Sequence, residues 1–271
     1  MPENSSLNTR TVAAAGVGLV LGFLIGFFLT NGINRAEQEK LRAEVAGLRA
    51  KAGAGAGSDG AGQGGGQQTP ASGEDGFPTL TDEQLANAVA RADAEPSNAE
   101  MQRKVGQALY VYAWQRNNSS ILPDVARILR RAHELDPKDH KTTVMAGDAQ
   151  FLIARSGGDP GALPAARRLY EAALASKPDD AVARTSLGLT YFYGTPSDPQ
   201  RAIREYRRAL QADPRQEISV QSLAAALIET GGLEEAGRRL DELEKLNPSN
   251  PELSNLRAQL EQKRNAARER Q

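Results

Sequence analysis

Arginine is the reactive residue type that recurs most regularly in this 271-residue chain. Arg127, Arg168, Arg204 and Arg238 stand at equivalent places in successive stretches of similar sequence, with Arg131, Arg207, Arg208 and Arg239 close by. A guanidinium column of this kind attracts an acidic partner or an anionic membrane surface. Asp124, Glu171, Glu205, Glu235 and Asp241 are interspersed, however, and the same pattern describes a solvated outer face laced with ion pairs. Other reactive groups are sparse. The two histidines, His133 and His140, have no metal-ligand spacing and read as surface residues. The absence of cysteine removes disulfides, thiolate metal sites and a cysteine nucleophile. No phosphate-cradling glycine loop, nucleophile motif or carboxylate constellation is present, so the expectation is a protein that is not an enzyme and needs neither cofactor nor metal. A formal net charge of −1 argues against a generic nucleic-acid binder. What remains is recognition of a protein or peptide.

The elements that would position such a surface are marked by five prolines, Pro96, Pro137, Pro178, Pro214 and Pro248. Their separations, by subtraction, are 41, 41, 36 and 34 residues, and each follows an alanine-rich stretch with helical spacing. A recurrence on that scale signals stacked helical pairs rather than one globular core. Thr81-Asp82-Glu83-Gln84 has the capping-box pattern that opens a helix, which predicts a leading helix over 80–96. Units follow over 99–139, 140–180, 181–216 and 217–250, with no period-2 alternation to suggest strands. The segment 251–271 begins at Asn250-Pro251, and its Leu253, Leu256 and Leu260 form one apolar stripe. It predicts a capping helix that covers the last open interface of the array.

Ahead of the array lie four shorter regions. After a tail over 1–10, residues 11–30 read TVAAAGVGLVLGFLIGFFLT without a charged residue, long enough to span a bilayer as an uncleaved signal anchor. Gly18, Gly22 and Gly26 fall on one face of that run, the spacing that lets two membrane helices approach and marks a homodimer seam. Residues 31–51 predict a juxtamembrane helix whose Leu41, Val45 and Leu48 follow the 4–3 spacing of a short coiled coil. Residues 52–79 are dominated by Gly, Ala, Ser and Gln and read as a flexible tether. Counting lysine and arginine would place the array in the cytoplasm. The layout instead suggests a bacterial inner-membrane protein with its array outside the cytoplasm.

The recurring residues within each unit carry a resemblance. The third has Leu187-Gly188, Tyr191, Ala202, Tyr206, Ala209 and Pro214; the second has Ala146-Gly147, Ala166, Tyr170, Ala173 and Pro178. The first has Val105-Gly106, Leu109, Val125, Leu129, Ala132 and Pro137, and the fourth Leu223-Ala224, Leu227, Ala236, Leu240, Leu243 and Pro248. This resembles the tetratricopeptide repeat, a helix–turn–helix unit of about 34 residues. The resemblance covers roughly residues 97–250 and implies an all-α, right-handed solenoid of about four units. No unit has tryptophan at the family's tryptophan position, and the first two units carry about seven extra residues between their helices, against the 34-residue norm. Those insertions, around Asn117-Asn118-Ser119-Ser120 and Ser156-Gly157-Gly158-Asp159-Pro160, must emerge on one edge of the array.

Members of that family generally bind extended peptides or partner helices on the concave face, lined by the first helix of each unit. By register the resemblance assigns to it Arg103, Gln107 and Tyr110; Val144, Asp148 and Phe151; Thr185, Leu189, Phe192 and Tyr193; then Gln221, Ala225 and Ile228. Tyr110, Phe151, Phe192 and Ile228 share one slot in successive units, as either a hydrophobic groove or core packing. The Lys/Asn pattern with which some members grip a chaperone's terminal carboxylate is missing. The expected function is a membrane-anchored scaffold that recruits a protein or peptide partner. The alternative is an extracytoplasmic assembly or secretion factor that holds client polypeptides, since the layout looks like anchored repeat proteins accompanying cytochrome c assembly.

Overall fold

The computed structural model describes residues 35–53, 79–157, 159 and 161–269. Among them are eleven α-helices and one 3-10 turn, with no strand. Helices α1 (Arg35–Gly53) and α2 (Asp82–Ala94) precede four helical pairs. The pairs are α3 (Ala99–Gln115) with α4 (Leu122–Leu135), and α5 (His140–Arg155) with α6 (Ala162–Ser176). They continue as α7 (Ala181–Phe192) with α8 (Pro199–Ala212), and α9 (Glu217–Thr230) with α10 (Leu233–Leu246), before α11 (Leu253–Arg268) closes the array.

The prolines act together with the residue two places on. After Pro96, Pro137 and Pro178 come Asn98, Asp139 and Asp180, whose side chains accept from the backbone N–H groups of Met101, Thr142 and Ala183. Proline ends one helix and the Asx residue caps the next at these three turns, whereas the turn after Pro214 has Gln216 and no side-chain cap. Thr81 and Gln84 form the expected capping box at the start of α2.

Within each unit a small residue lets two helices approach. A Cβ built on Gly106 would lie 2.7 Å from Leu129, on Gly147 2.8 Å from Tyr170, and on Gly188 2.5 Å from Tyr206. All three facing side chains belong to the second helix of the same pair. The core therefore runs as a stack, from Leu109, Ile128 and Leu129 through Tyr170 and Tyr206 to Leu223, Leu240 and Leu243, all buried. At the far end Leu253, Leu256 and Leu260 of α11 are buried on the last unit, as the capping stripe predicts.

The near end departs from expectation. Val45 and Leu48 of α1 are buried in one cluster with Leu80, Leu85, Ala88, Val105 and Ala108. Helix α1 is thus a second cap, covering α2 and α3, and these two residues of the expected coiled-coil seam are used within the chain. The physical reason is that α2 alone leaves one side of α3 uncovered, and an apolar stripe nearby in the chain closes it. The expected tail, anchor and glycine seam (Gly18, Gly22, Gly26) and most of the tether lie outside the described residues. Among the described residues, no helix is long and apolar enough to cross a membrane.

The insertions are partly helical. Helices α3 and α5 run 17 and 16 residues, whereas α7 and α9 run 12 and 14. About one extra turn is added to each first helix before the connection to the second.

Candidate partner-binding groove

Eight of the thirteen residues proposed for the concave face are closed inside the array. Gln107 donates from Nε2 to Thr142 Oγ1 at 2.8 Å. The Tyr110 hydroxyl lies 3.4 Å from Asp148 Oδ2, and the Tyr170 hydroxyl donates to Asp148 Oδ1 at 2.7 Å. Thr185 Oγ1 donates to the Ala181 carbonyl at 2.7 Å and touches the Gln216 amide. Asn250 donates to Gln221 Oε1 at 2.9 Å. Phe151, Leu189 and Ile228 are buried among apolar neighbours. The buried polar groups are satisfied across unit boundaries, so they fix how one unit sits on the next.

The other five, Arg103, Val144, Phe192, Tyr193 and Ala225, are half-buried and reach solvent on the inner face. Of the expected row Tyr110–Phe151–Phe192–Ile228, only Phe192 is open; the remainder is core. Phe192 and Tyr193 meet edge to face with ring centroids 5.2 Å apart, and Phe151 supports Tyr193 from below at 6.3 Å. The Arg155 guanidinium lies 3.9 Å from the Tyr193 ring centroid. Burial pushes the Tyr193 phenol up, Arg155 opposes that shift, and the Glu252 and Glu229 carboxylates add to it. The result is a small aromatic seat with a cation over one ring and two carboxylates close enough to act on it, suited to an apolar side chain flanked by polar groups. Arg155 is the residue that the repeat pattern misses. It lies four residues beyond Phe151, in the extra turn of α5, and that spacing places it on the same helical face.

Asp148 lies under this face, between the first two units. Burial pushes its carboxyl up to about 7, against the lowering effect of the Tyr170 and Tyr110 hydroxyls, with the Asp180 charge adding a further rise. Both tyrosine hydroxyls are pushed far above their ordinary range by burial and by the carboxylate they face. Along the edge, the two insertions meet: a recess of about 190 Å³ is lined by Trp114, Asn117, Asn118 and Leu122 from the first and by Leu152 and Ser156 from the second.

The histidines are more engaged than surface residues need be. His140 Nε2 lies 2.6 Å from Asp180 Oδ2, and His133 Nδ1 lies 2.8 Å from Thr143 Oγ1. On the outer face, Asp93 pairs with both Arg127 and Arg131, which holds its carboxyl below the usual range. Arg207 reaches Glu235, Arg239 reaches Glu242, and Arg257 bridges Asp241 and Glu244.

Small-residue contacts, proline–Asx turns and a terminal cap recur here in the order of one known architecture. Residues 197–260 match the family model described as tetratricopeptide repeat. The array has the tetratricopeptide-repeat fold. Two solved structures carry the same fold. MamA is 21% identical with a TM-score of 0.50, over 62% of this chain and 88% of that one. YrrB, described as a tetratricopeptide-repeat protein with an unusual peptide-binding site, is 13% identical with a TM-score of 0.52, over 65% and 83%. No curated protein matches the sequence. The tetratricopeptide-repeat array accounts for the buried slots, since stacking consumes most of each first helix and leaves only a narrow inner face.

Proposed function

We propose that this protein is a membrane-anchored tetratricopeptide-repeat scaffold whose inner face seats an apolar or aromatic side chain of a protein or peptide partner. The observation that carries it is the Phe192–Tyr193 pair: two large rings on the inner face, half-buried and backed by Phe151 and Arg155. Buried aromatics with neighbouring charge are the usual energetic centre of such interfaces. The peptide-binding site named for YrrB supports a groove reading for this fold. A photo-crosslinking residue placed at Phe192 in the full chain, in its native membrane, is expected to give one discrete protein or peptide adduct. The same residue at the outward-facing Gln211 should not give it. Equal labelling from both positions removes the groove assignment.

The anchor is residues 11–30, on the strength of their length and lack of charge. The array lies outside the cytoplasm, in keeping with the layout of tail, anchor, linker and repeats. A reporter fused after Gln271 that is active only outside the cytoplasm is the expected result, and activity inside reverses the placement.

A further inference from the structure

Arg168, Arg204 and Arg238 occupy the same slot on α6, α8 and α10, and all three are exposed. No carboxylate among the described residues pairs with any of them. The first residue of the expected column behaves differently, because Arg127 is closed by Asp93 and Asp124. Acids near Arg168 and Arg204 are already engaged, whereas the exposed Glu234 stands four residues before Arg238 on the same helix. Glu171, three residues beyond Arg168, accepts from the Tyr191 hydroxyl at 3.2 Å. Asp241, three beyond Arg238, is taken by Arg257 at 3.0 Å. Glu205, beside Arg204, is bound by Arg184 and Arg208. Helix α8 also carries Arg201, Arg207 and Arg208 against that single acid. The outer face of units two and three therefore carries one uncompensated guanidinium per unit, whereas the outer helix of unit four is net acidic.

The chemistry of that face on units two and three fits a lipid surface better than a protein. Protein interfaces depend on a buried apolar or aromatic anchor. Among the described residues the one exposed large hydrophobic side chain is Leu135, on α4, outside these two units. Anionic headgroups need only charge. The chain also brings the array close to the bilayer. Helix α1 begins five residues after Thr30 and is packed on α2 and α3 through Val45 and Leu48. The array is therefore tied, through α1, to a point five residues after the end of the expected anchor.

We propose that the outer face of units two and three docks on anionic phospholipid headgroups through Arg168 and Arg204, which turns the inner groove away from the membrane. This rests on the anchor reading above. The absence of native cysteine permits a single Gln211→Cys label carrying an environment-sensitive dye. The full chain is placed in nanodiscs of phosphatidylcholine, with or without phosphatidylglycerol, and a bilayer-borne quencher reports docking. Each arginine near an anionic surface favours the docked state about fivefold, so Arg168→Gln and Arg204→Gln together should lower the docked-to-undocked ratio on the order of twentyfold. Both are exposed and unpaired, so thermal unfolding should not change; a charge-reversed pair (R168E, R204E) should abolish docking. Quenching that needs phosphatidylglycerol and is lost in the variants supports the proposal. Quenching equal in both lipids overturns it, as does a dye response to soluble polyglutamate but not to phosphatidylglycerol. Loss of the chain from nanodiscs of either composition overturns the anchor reading and the docking with it, whereas retention without quenching overturns docking alone.

Discussion

Gly188→Ala is expected to destabilise the array by about 2 kcal/mol, whereas Gly237→Ala stabilises it by a few tenths. Both glycines lie inside helices, where alanine is intrinsically better by roughly 1 kcal/mol. Both also meet a neighbour closer than a Cβ tolerates: Tyr206 Cε1 at 2.5 Å from the first, Arg264 Nη2 at 2.9 Å from the second. The signs separate because of what must move. Tyr206 is wholly buried at the centre of the third unit, packed among residues of α7, α8 and the following pair. Its ring cannot withdraw without opening the stack, and overpacking of this kind costs about 1–3 kcal/mol or more. The Arg264 guanidinium is the far end of a flexible side chain and turns aside at little cost. Urea midpoints of the two variants, measured on the same chain, should fall on opposite sides of the parent. Two shifts of the same sign would mean that helix propensity, not the approach of α8 to α7, sets the energy at these sites.

The repeat was legible because its determinants are local. A proline followed by an Asx cap, or a glycine four residues before an apolar slot, is visible within one unit, and recurrence multiplied the signal. Burial of the groove slots was not legible in that way. Whether Phe151 or Phe192 is open depends on how units stack, and that is set by contacts 20 to 40 residues apart. Gln107 closes on Thr142, and Tyr110 on Asp148, across just such separations. The same holds for the arginines. Arg127 and Arg204 look alike in sequence, yet Asp93 of the leading helix reaches only the former. The stripe of α1 was visible, but not its partner: 4–3 spacing says that a face needs covering, and leaves open whether the same chain or another does it.

Asp148 gives the largest pH dependence expected of this fold. In the folded array its carboxyl titrates near 7, because burial penalises the charged form more than the Tyr170 and Tyr110 hydroxyls compensate. In the unfolded chain it titrates at its ordinary value of 3.8. Between those values the folded state holds a proton that the unfolded state has lost, so stability falls as pH rises from about 4 to about 7 and is flat above. Roughly three units of difference correspond to something on the order of 4 kcal/mol over the window. Asp93 acts with the opposite sign and elsewhere: its lowered carboxyl loses stability only as pH falls below the ordinary carboxylate range. Asp148→Asn keeps an acceptor for the Tyr170 hydroxyl and supplies a donor toward Tyr110, which mimics the protonated acid. The variant should match the parent near pH 4, exceed it increasingly as pH rises and most clearly at pH 8, and lose most of the slope between. An unchanged slope would assign the titration to another group. Because Tyr110 belongs to the first unit and Tyr170 to the second, ionisation of Asp148 acts on the junction between them. Hydrogen exchange at pH 8 should therefore rise first in α3 and α5, beside the two insertions, while α9 and α10 stay protected.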